Sequence, residues 1–221
     1  MRKKLNAIML LVLSALLSCG TGCANLRGLA IGGKVSTLGL GAELATGVAD
    51  NVNARVGVNM LDLDLDEVEL DDVEYDLGID FFSFSALVDW HVFYDSFRIT
   101  AGVVSMNHEI DLDAKGKPGE TEEIGGSRYD WTDIGTLSGN ADFDDLAPYV
   151  GIGWGDLLDP DKRVEIYFDF GVAFIGSPDV KLNATGPTVL PADLQKEQDE
   201  LEDDLDFGFY PVLSTGLVFR F

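Results

Sequence analysis

The chain has 221 residues, which is the size of one domain or of two small ones. It carries 15 Lys and Arg against 39 Asp and Glu, a formal net charge of −24, so it lacks the basic surface that a nucleic-acid-binding protein needs. Hydrophobic residues make up 46% of the chain, which is too many for a disordered acidic protein. With only Cys19 and Cys23, the chain has neither a disulfide framework nor a cysteine-rich zinc site.

Residues 1–24 have the features of a secretory signal peptide. A basic start is followed by an apolar run over 7–17 and then by small residues. The run is shorter than the about 20 apolar residues that a membrane-spanning helix needs. We therefore predict cleavage after residue 24, which leaves 25–221 as a single exported domain. Lipidation of Cys19 or Cys23, as in bacterial lipoproteins, is an open alternative.

Downstream of the signal, apolar and polar residues alternate with a period of two, which indicates β-strands with two different faces. The pattern predicts strands near 34–48, 52–60, 82–92, 97–112, 146–155, 163–175 and 207–221. Bacterial outer-membrane barrels have an even number of strands. We therefore expect an eighth strand, within 25–33 or within 120–142.

The connections between these strands alternate in length. Short turns are predicted at 49–51, 93–96 and 156–162, and long, mostly polar stretches at 62–76, 113–145 and 176–206. Short turns at one end and long loops at the other are typical of an up-and-down antiparallel β-barrel. A proline at a first helical position and a thin leucine stripe predict one short loop helix over 191–205.

Two kinds of barrel fit the alternation. A soluble, lipocalin-like carrier has its apolar residues inside, whereas a transmembrane barrel has them outside. Lysine is missing from the predicted strand centres and the polar faces are rich in Gly and Ser, which favours the transmembrane barrel. The charged residues predicted to face its interior are Glu43, Arg55, Asp89, Arg98, Glu165, Asp169 and Arg220. Pairs of opposite charge among them would plug a narrow lumen, so we expect no open porin channel.

The C-terminal segment, Tyr210-Pro-Val-Leu-Ser-Thr-Gly-Leu-Val-Phe-Arg-Phe221, resembles the closing strand of Gram-negative outer-membrane β-barrel proteins. In those proteins such a strand is read by the barrel assembly machinery, and Leu217, Phe219 and Phe221 match that signal. The segments 39–44 and 147–154 resemble strands of small barrels of the OmpW, OmpX and OmpA-domain type. The resemblance implies an outer-membrane barrel and, for the OmpW type, passage of small hydrophobic molecules through a narrow lumen. A purely structural role and surface adhesion through the outer loops are the open alternatives.

The predicted loop at 62–76 is strongly acidic. Its first residues alternate with Leu61, Leu63 and Leu65 and lose this phase near Glu67, which predicts a strand that continues past the membrane before a turn. Asp62, Asp64 and Asp66 have the spacing with which an EF-hand begins, but Glu67 stands where that loop needs Gly and Val73 where it needs Glu. The three aspartates are weak metal candidates, and a solvated acidic loop is the expected interpretation. On the outer surface, divalent cations would bridge these carboxylates to anionic lipopolysaccharide, and basic partners would also be attracted.

Some outer-membrane barrels are enzymes, and these need a base with an acid partner and a nucleophile near the outer rim. His108 is the candidate base, since Glu109 follows it and Ser105 and Ser138 are conceivable partners. No motif of those barrel enzymes occurs in the sequence. We therefore expect a protein that is not an enzyme and needs no cofactor.

Overall fold

The computed structural model describes residues 27–70, 73–92, 96–159 and 161–221. The predicted signal peptide and both cysteines lie outside these residues. In chain order, the elements are β1 (Arg27–Ser36), β2 (Gly39–Ala49), β3 (Val52–Leu70), β4 (Val73–Trp90), β5 (Phe97–Gly116), β6 (Thr121–Ile124), β7 (Ser127–Asp130), α1 (Trp131–Ile134), β8 (Leu137–Trp154), β9 (Val164–Ala173), β10 (Asp179–Ala184), α2 (Pro191–Leu205) and β11 (Tyr210–Arg220).

Eight of these strands form a closed antiparallel ring. β1 to β5 pair in sequence, then β8, β9 and β11 follow, and β11 pairs again with β1. The predicted all-β, up-and-down barrel of eight strands is therefore confirmed, and α2 confirms the predicted helix over 191–205. Among the described residues, no helix is both long and apolar enough to cross a membrane.

The eighth strand comes from the N-terminal segment. The single strand predicted at 34–48 is wrong, because β1 ends at Ser36 and β2 begins at Gly39, whose φ of +102° suits glycine. The sequence did not indicate this turn because Leu38 continues the apolar pattern of a strand. It is an apolar residue in a tight connection because the turn folds into the mouth of the barrel, where Leu38 is buried.

The strands of the ring fall into two length classes. β1, β2, β9 and β11 have 10 or 11 residues, about the length that crosses a bilayer. β3, β4, β5 and β8 have 18 to 20 residues, so the stretches 62–76 and 113–145, which were predicted as loops, are largely strand. The upper part of these four strands, together with β10, forms a sheet that continues beyond the barrel for ~30 Å. We call it the extension; it comprises residues 61–70, 73–81, 107–116, 137–145 and 179–184.

The outer surface of the ring is apolar. Alternate residues along every ring strand point outward and are exposed, such as Val58 at 39% and Phe168 at 55%. We call this surface the apolar belt; it comprises the outward residues of β1, β2, β9 and β11 and of 52–60, 82–90, 97–105 and 146–154. Apolar side chains outside and polar ones inside are the arrangement of a membrane barrel and the reverse of a lipocalin-like carrier.

In the extension the alternation has the opposite phase. Asn59 is buried in the lumen, and side chains two residues apart share a face, so Leu61, Leu63 and Leu65 continue the inner face. The residues between them are the aspartates, which continue the outer face directly above Met60 of the belt. The outside of β3, β4 and β8 thus changes from apolar to acidic within two residues, and that of β5 changes over 103–109.

The tip of the extension is closed by a small apolar core of its own. The β6–β7 hairpin and α1 contribute Ile124, Trp131 and Ile134, which pack against Val73 and Ala114. α2 lies beside β10 and the hairpin. The hydroxyl of Tyr129 on the hairpin donates a hydrogen bond to Asp193 at the start of α2. We call this assembly the cap.

Candidate functional site: a charged layer across the lumen

Six ionisable side chains from six strands meet in the lumen at the level of the apolar belt. They are Lys34 (β1), Glu43 (β2), Arg55 (β3), Asp89 (β4), Arg98 (β5) and Asp169 (β9). The side chains of all six are at most 8% exposed. Three carry positive charge and three carry negative charge, so the layer is neutral as a whole. We call it the charged layer.

Arg55 is the centre of the charged layer. Its Nη2 donates to Oδ1 of Asp89 at 2.9 Å, and its Nε lies 2.7 Å from Oδ2 of the same carboxylate, so the ion pair contains one hydrogen bond and one further close charge contact. Its Nη1 donates to Oδ2 of Asp169 at 2.9 Å and lies 3.5 Å from Oε2 of Glu43. A planar guanidinium with five donors can serve three carboxylates at once, which a lysine cannot do with the same geometry.

Arg98 completes the layer on the other side of the lumen. Its Nη2 donates to Oδ1 of Asp169 at 2.7 Å, and its Nη1 donates to the carbonyl oxygen of Gly155. Both guanidinium groups lie over the ring of Tyr167, at 5.5 Å for Arg98 and 5.9 Å for Arg55, within the range of cation–π attraction. Each buried charge in the layer therefore has an opposite charge within reach.

Two glycines make room for this layer. A Cβ at Gly153 would stand 2.4 Å from Oδ1 of Asp169 and 2.9 Å from Cζ of Arg98. A Cβ at Gly216 would stand 2.6 Å from the ring of Tyr167. Both positions face the lumen, so any side chain there would displace the ion pairs or the ring beneath them.

Apolar clusters close the lumen above and below the charged layer. Above it, Leu38 from the β1–β2 turn packs with Val104, Met106, Tyr149 and Val212. Below it, Leu157 and Leu158 from the β8–β9 connection pack with Tyr167, Ala30, Ala45 and Val218. Together with the charged layer they fill the barrel from one rim to the other.

Five of the seven residues predicted to be interior charges meet in the charged layer; the other two do not. Glu165 lies near the lower rim, where it pairs with Lys162 at 2.9 Å, and the side chain of Arg220 passes beside Gly28. Sequence reasoning missed Lys34, whose Nζ lies 3.3 Å from Oε2 of Glu43. The sequence pattern that could have identified Lys34 is its position on the same face of β1 as Ala30, Gly32 and Ser36, which is the face with small and polar residues.

The residues considered for catalysis are separated by the sheet. His108 faces inward, where it is buried and stacks on Phe81 with 4.2 Å between ring centroids. Ser105 and Glu109 are an odd number of residues away on the same strand and therefore face outward, and Ser138 pairs with Asp113 on that outer face. His91, near the lower rim, contacts Asn53 at 3.1 Å.

The acidic residues lie on the outside of the extension. A cleft of about 380 Å³ on this face is lined by Asp64, Asp66, Asp76, Asp111 and Asp113 among others, whereas Asp62 lies nearer the belt. Within the described ranges, no group of three or more His, Cys, Asp or Glu side chains is arranged to hold a metal ion. At the opposite end of the chain, Leu217, Phe219 and Phe221 are exposed on the outside of β11 and just beyond it.

Two solved structures share this architecture over most of the chain. CarO2 of Acinetobacter baumannii is 22% identical, with a TM-score of 0.65 over 89% of this chain and 100% of that one. CarO of the same species is 19% identical, with a TM-score of 0.61 over 89% of this chain and 98% of that one. No protein-family profile and no curated protein sequence matches the chain. The chain has the fold of the small outer-membrane β-barrel proteins, which confirms the resemblance at the level of fold.

Proposed function

We propose that the chain is a non-conducting outer-membrane protein whose closed barrel holds an acidic extension at the cell surface. The observation that carries this proposal is the charged layer, which crosses the lumen between two apolar clusters. A barrel of eight strands is only wide enough to be filled by its side chains. A buried ion pair is costly to break, because the charge left behind has no water to solvate it.

The same layer favours a structural role over uptake of small hydrophobic molecules. An apolar solute moving down the lumen would meet three buried carboxylates and three cations at one level. Separating the charges of these ion pairs to let the solute pass would leave buried charges without partners. This costs about 3–5 kcal/mol for each broken pair. The side chains in the lumen therefore favour a barrel that is closed to small hydrophobic molecules.

The apolar belt supports insertion into a membrane rather than a soluble carrier. In water the belt would expose large side chains such as Phe168 and Phe170 around the whole ring. We propose the outer membrane of a Gram-negative bacterium as the location. The barrel assembly machinery would read Leu217, Phe219 and Phe221 at the end of the chain. The proposed role involves neither catalysis nor a cofactor.

Planar-bilayer recording of the refolded full chain tests the proposal. We expect no stepwise ion conductance from the wild-type protein, which should nevertheless show faster gel migration in SDS before boiling than after it. Replacing both cations at the centre, Arg55→Met with Arg98→Met, should admit cations if the barrel still folds. Steady conductance from the wild-type protein would overturn the proposal regardless of how the variant behaves.

The acidic outer face also supports contact with lipopolysaccharide through divalent cations. Asp62, Asp80 and Glu109 continue the outer surface directly above the belt, at the level where lipid headgroups begin. Two anionic surfaces at this level attract shared cations, even without a defined metal site. Replacing EDTA by Mg²⁺ should raise the melting temperature in lipopolysaccharide vesicles and not in vesicles of neutral phospholipid. An equal melting temperature in both buffers would contradict this contact.

A further inference from the structure

The two lateral edges of the extension differ in whether another part of the chain covers them. At β10, α2 covers the edge, since the backbone N–H of Val180 donates to Glu202 and its carbonyl accepts from Gln198, both at 3.1 Å. At β3, the neighbouring strand β2 pairs only as far as Leu40 with Met60. Among the described strands, none pairs with the outer edge of β3 above that residue. A free edge presents unpaired N–H and C=O groups to another chain.

The free edge is accessible and has a defined length. The β1–β2 turn rises only to the level of Leu61, so the rim beside the upper part of β3 is low. At the top, a bulge interrupts the register after Leu65, and Glu67 adopts a φ of +56° with its N–H bonded to Asp76. The straight edge available for pairing is therefore 61–66.

The two faces of this edge have opposite chemistry. Leu63 and Leu65 point to the inner face and are 44% and 47% exposed. Asp62, Asp64 and Asp66 point to the outer face and are exposed as well. A strand added here would need apolar side chains on one face and would meet carboxylates on the other.

The carboxylates decide which strand can be added. A second copy of 61–66 would place aspartates opposite aspartates, which is unfavourable for cross-strand neighbours and is reinforced by the net charge of −24. A strand with Lys or Arg at those positions would turn each repulsion into an attraction. The alternation that prevents self-association therefore favours a basic partner.

We propose that the free edge of β3 at 61–66 binds an extended basic segment of another polypeptide by β-strand addition. The segment alternates apolar residues, which cover Leu63 and Leu65, with Lys or Arg residues, which face the aspartates. Backbone hydrogen bonds provide the affinity, and the alternation provides the specificity. This inference is independent of whether the barrel conducts ions, because the edge lies outside the lumen.

Fluorescence anisotropy tests the proposal with the full chain folded in a neutral detergent. The probe is a labelled peptide with the sequence Lys-Leu-Lys-Leu-Lys-Leu-Lys, and the comparison peptide has the same composition with all lysines before all leucines. Empty micelles provide the baseline. We expect the alternating peptide to bind at least about tenfold more tightly than the block peptide. We expect N-methylation of alternate peptide bonds on its pairing side to abolish binding.

A matched pair of variants locates the binding site. The triple variant Asp62→Asn, Asp64→Asn and Asp66→Asn should weaken binding by about tenfold or more. The triple variant Asp199→Asn, Asp203→Asn and Asp204→Asn changes the same charge on exposed positions of α2 and should leave binding unchanged. Slower amide exchange at every second residue of 61–66 in the complex would establish strand addition directly.

Three results would overturn the proposal. Equal affinity for the alternating and block peptides would mean diffuse electrostatic attraction. Equal weakening by both triple variants would mean the same. Sedimentation of the wild-type protein as a dimer in which the amides of 61–66 exchange slowly without peptide would show that the edge is occupied by a second copy despite its charge.

Discussion

Below and above Met60, the apolar and the polar residues of β3 occupy opposite faces of the strand. In the belt, Val56 and Val58 face outward and Arg55 faces the lumen, whereas in the extension the leucines face inward and the aspartates face outward. β4 reverses at the adjacent pair Phe81 and Phe82. Since both halves belong to the same continuous strands, backbone geometry cannot explain the reversal.

The difference lies in what surrounds each half of the sheet. Around the belt, hydrocarbon requires apolar side chains outside, which forces the polar residues into the lumen where only one another can satisfy them. Around the extension, water permits acidic side chains outside, and the apolar residues turn inward and need a cover. The charged layer thus pairs the polar side chains that the belt forces into the lumen, and the cap covers apolar side chains on the inner face of the extension.

Removing the centre of the charged layer should have the largest effect. Arg55→Met leaves three buried carboxylates around a neutral side chain, and breaking a buried ion pair from one side costs about 3–5 kcal/mol. The matched change in the cap is Arg128→Met, because Arg128 pairs with Glu123 in solvent and such pairs contribute at most ~1 kcal/mol. Urea unfolding in lipid vesicles measures both. Equal losses would show that the layer is as solvated as the cap surface.

Removing the core of the cap should have a comparable but local effect. Trp131 is buried against Ile134 and Ile124, so Trp131→Ala leaves a cavity that costs about 3–5 kcal/mol. The exposed Leu190 nearby provides the control, since Leu190→Ala removes little buried area. Limited proteolysis should cut the variant within 117–135 while the barrel keeps its unboiled gel mobility. Loss of that mobility would mean that the cap and the barrel fold as one unit.

An added cation on β3 should distinguish the two halves directly, on the outer face in the belt and on the solvent-accessible inner face in the extension. Val56→Arg places a cation at the middle of the belt and should destabilise the barrel by about 2–4 kcal/mol. Leu63→Arg places the same side chain on an exposed position of the extension and should cost less than ~1 kcal/mol. The measurement is the free energy of unfolding in lipid vesicles whose bilayer has a defined thickness. A small loss at Val56 would place the hydrocarbon boundary elsewhere on the strand.

The ring and its helix follow from alternation and from turn length, which depend only on local sequence. The alternation of Leu61-Asp-Leu-Asp-Leu-Asp66 predicts a strand that continues past the membrane before a turn, but the length of the extension was missed because most of 62–76 and 113–145 is polar. The missing signal was the pair of adjacent apolar residues, Met60 with Leu61 and Phe81 with Phe82, at which the phase reverses on neighbouring strands. Such a pair, repeated at paired positions, marks where the hydrocarbon ends.

The partners within the charged layer could not be predicted from the sequence. Alternation assigns Arg55, Arg98 and Asp169 to one side of their strands, but the level at which they meet depends on the stagger of the closed barrel. Glu165 shows this, because it shares a face with Asp169 yet lies near the lower rim beside Lys162. Lys34 joined the layer because its strand neighbours Gly41 and Gly216 leave it space.

The smallest expected effect is the pH dependence of the contact between α2 and the β6–β7 hairpin. The hydrogen bond from Tyr129 holds the pKa of Asp193 below its usual value, and the same bond raises the pKa of Tyr129. A lowered carboxyl pKa means that the contact stabilises the cap above ~pH 4 and is lost as the pH falls through the folded value. A raised phenol pKa means that it is lost again as the pH rises above ~10. Asp193→Asn should therefore remove the acidic step and move the alkaline step to lower pH, because the carboxylate that raises the pKa of Tyr129 is gone. Amide exchange of α2 across this range measures it, with the amides of the barrel strands as the internal control. An acidic step that persists in the variant would assign it to other carboxylates of the helix.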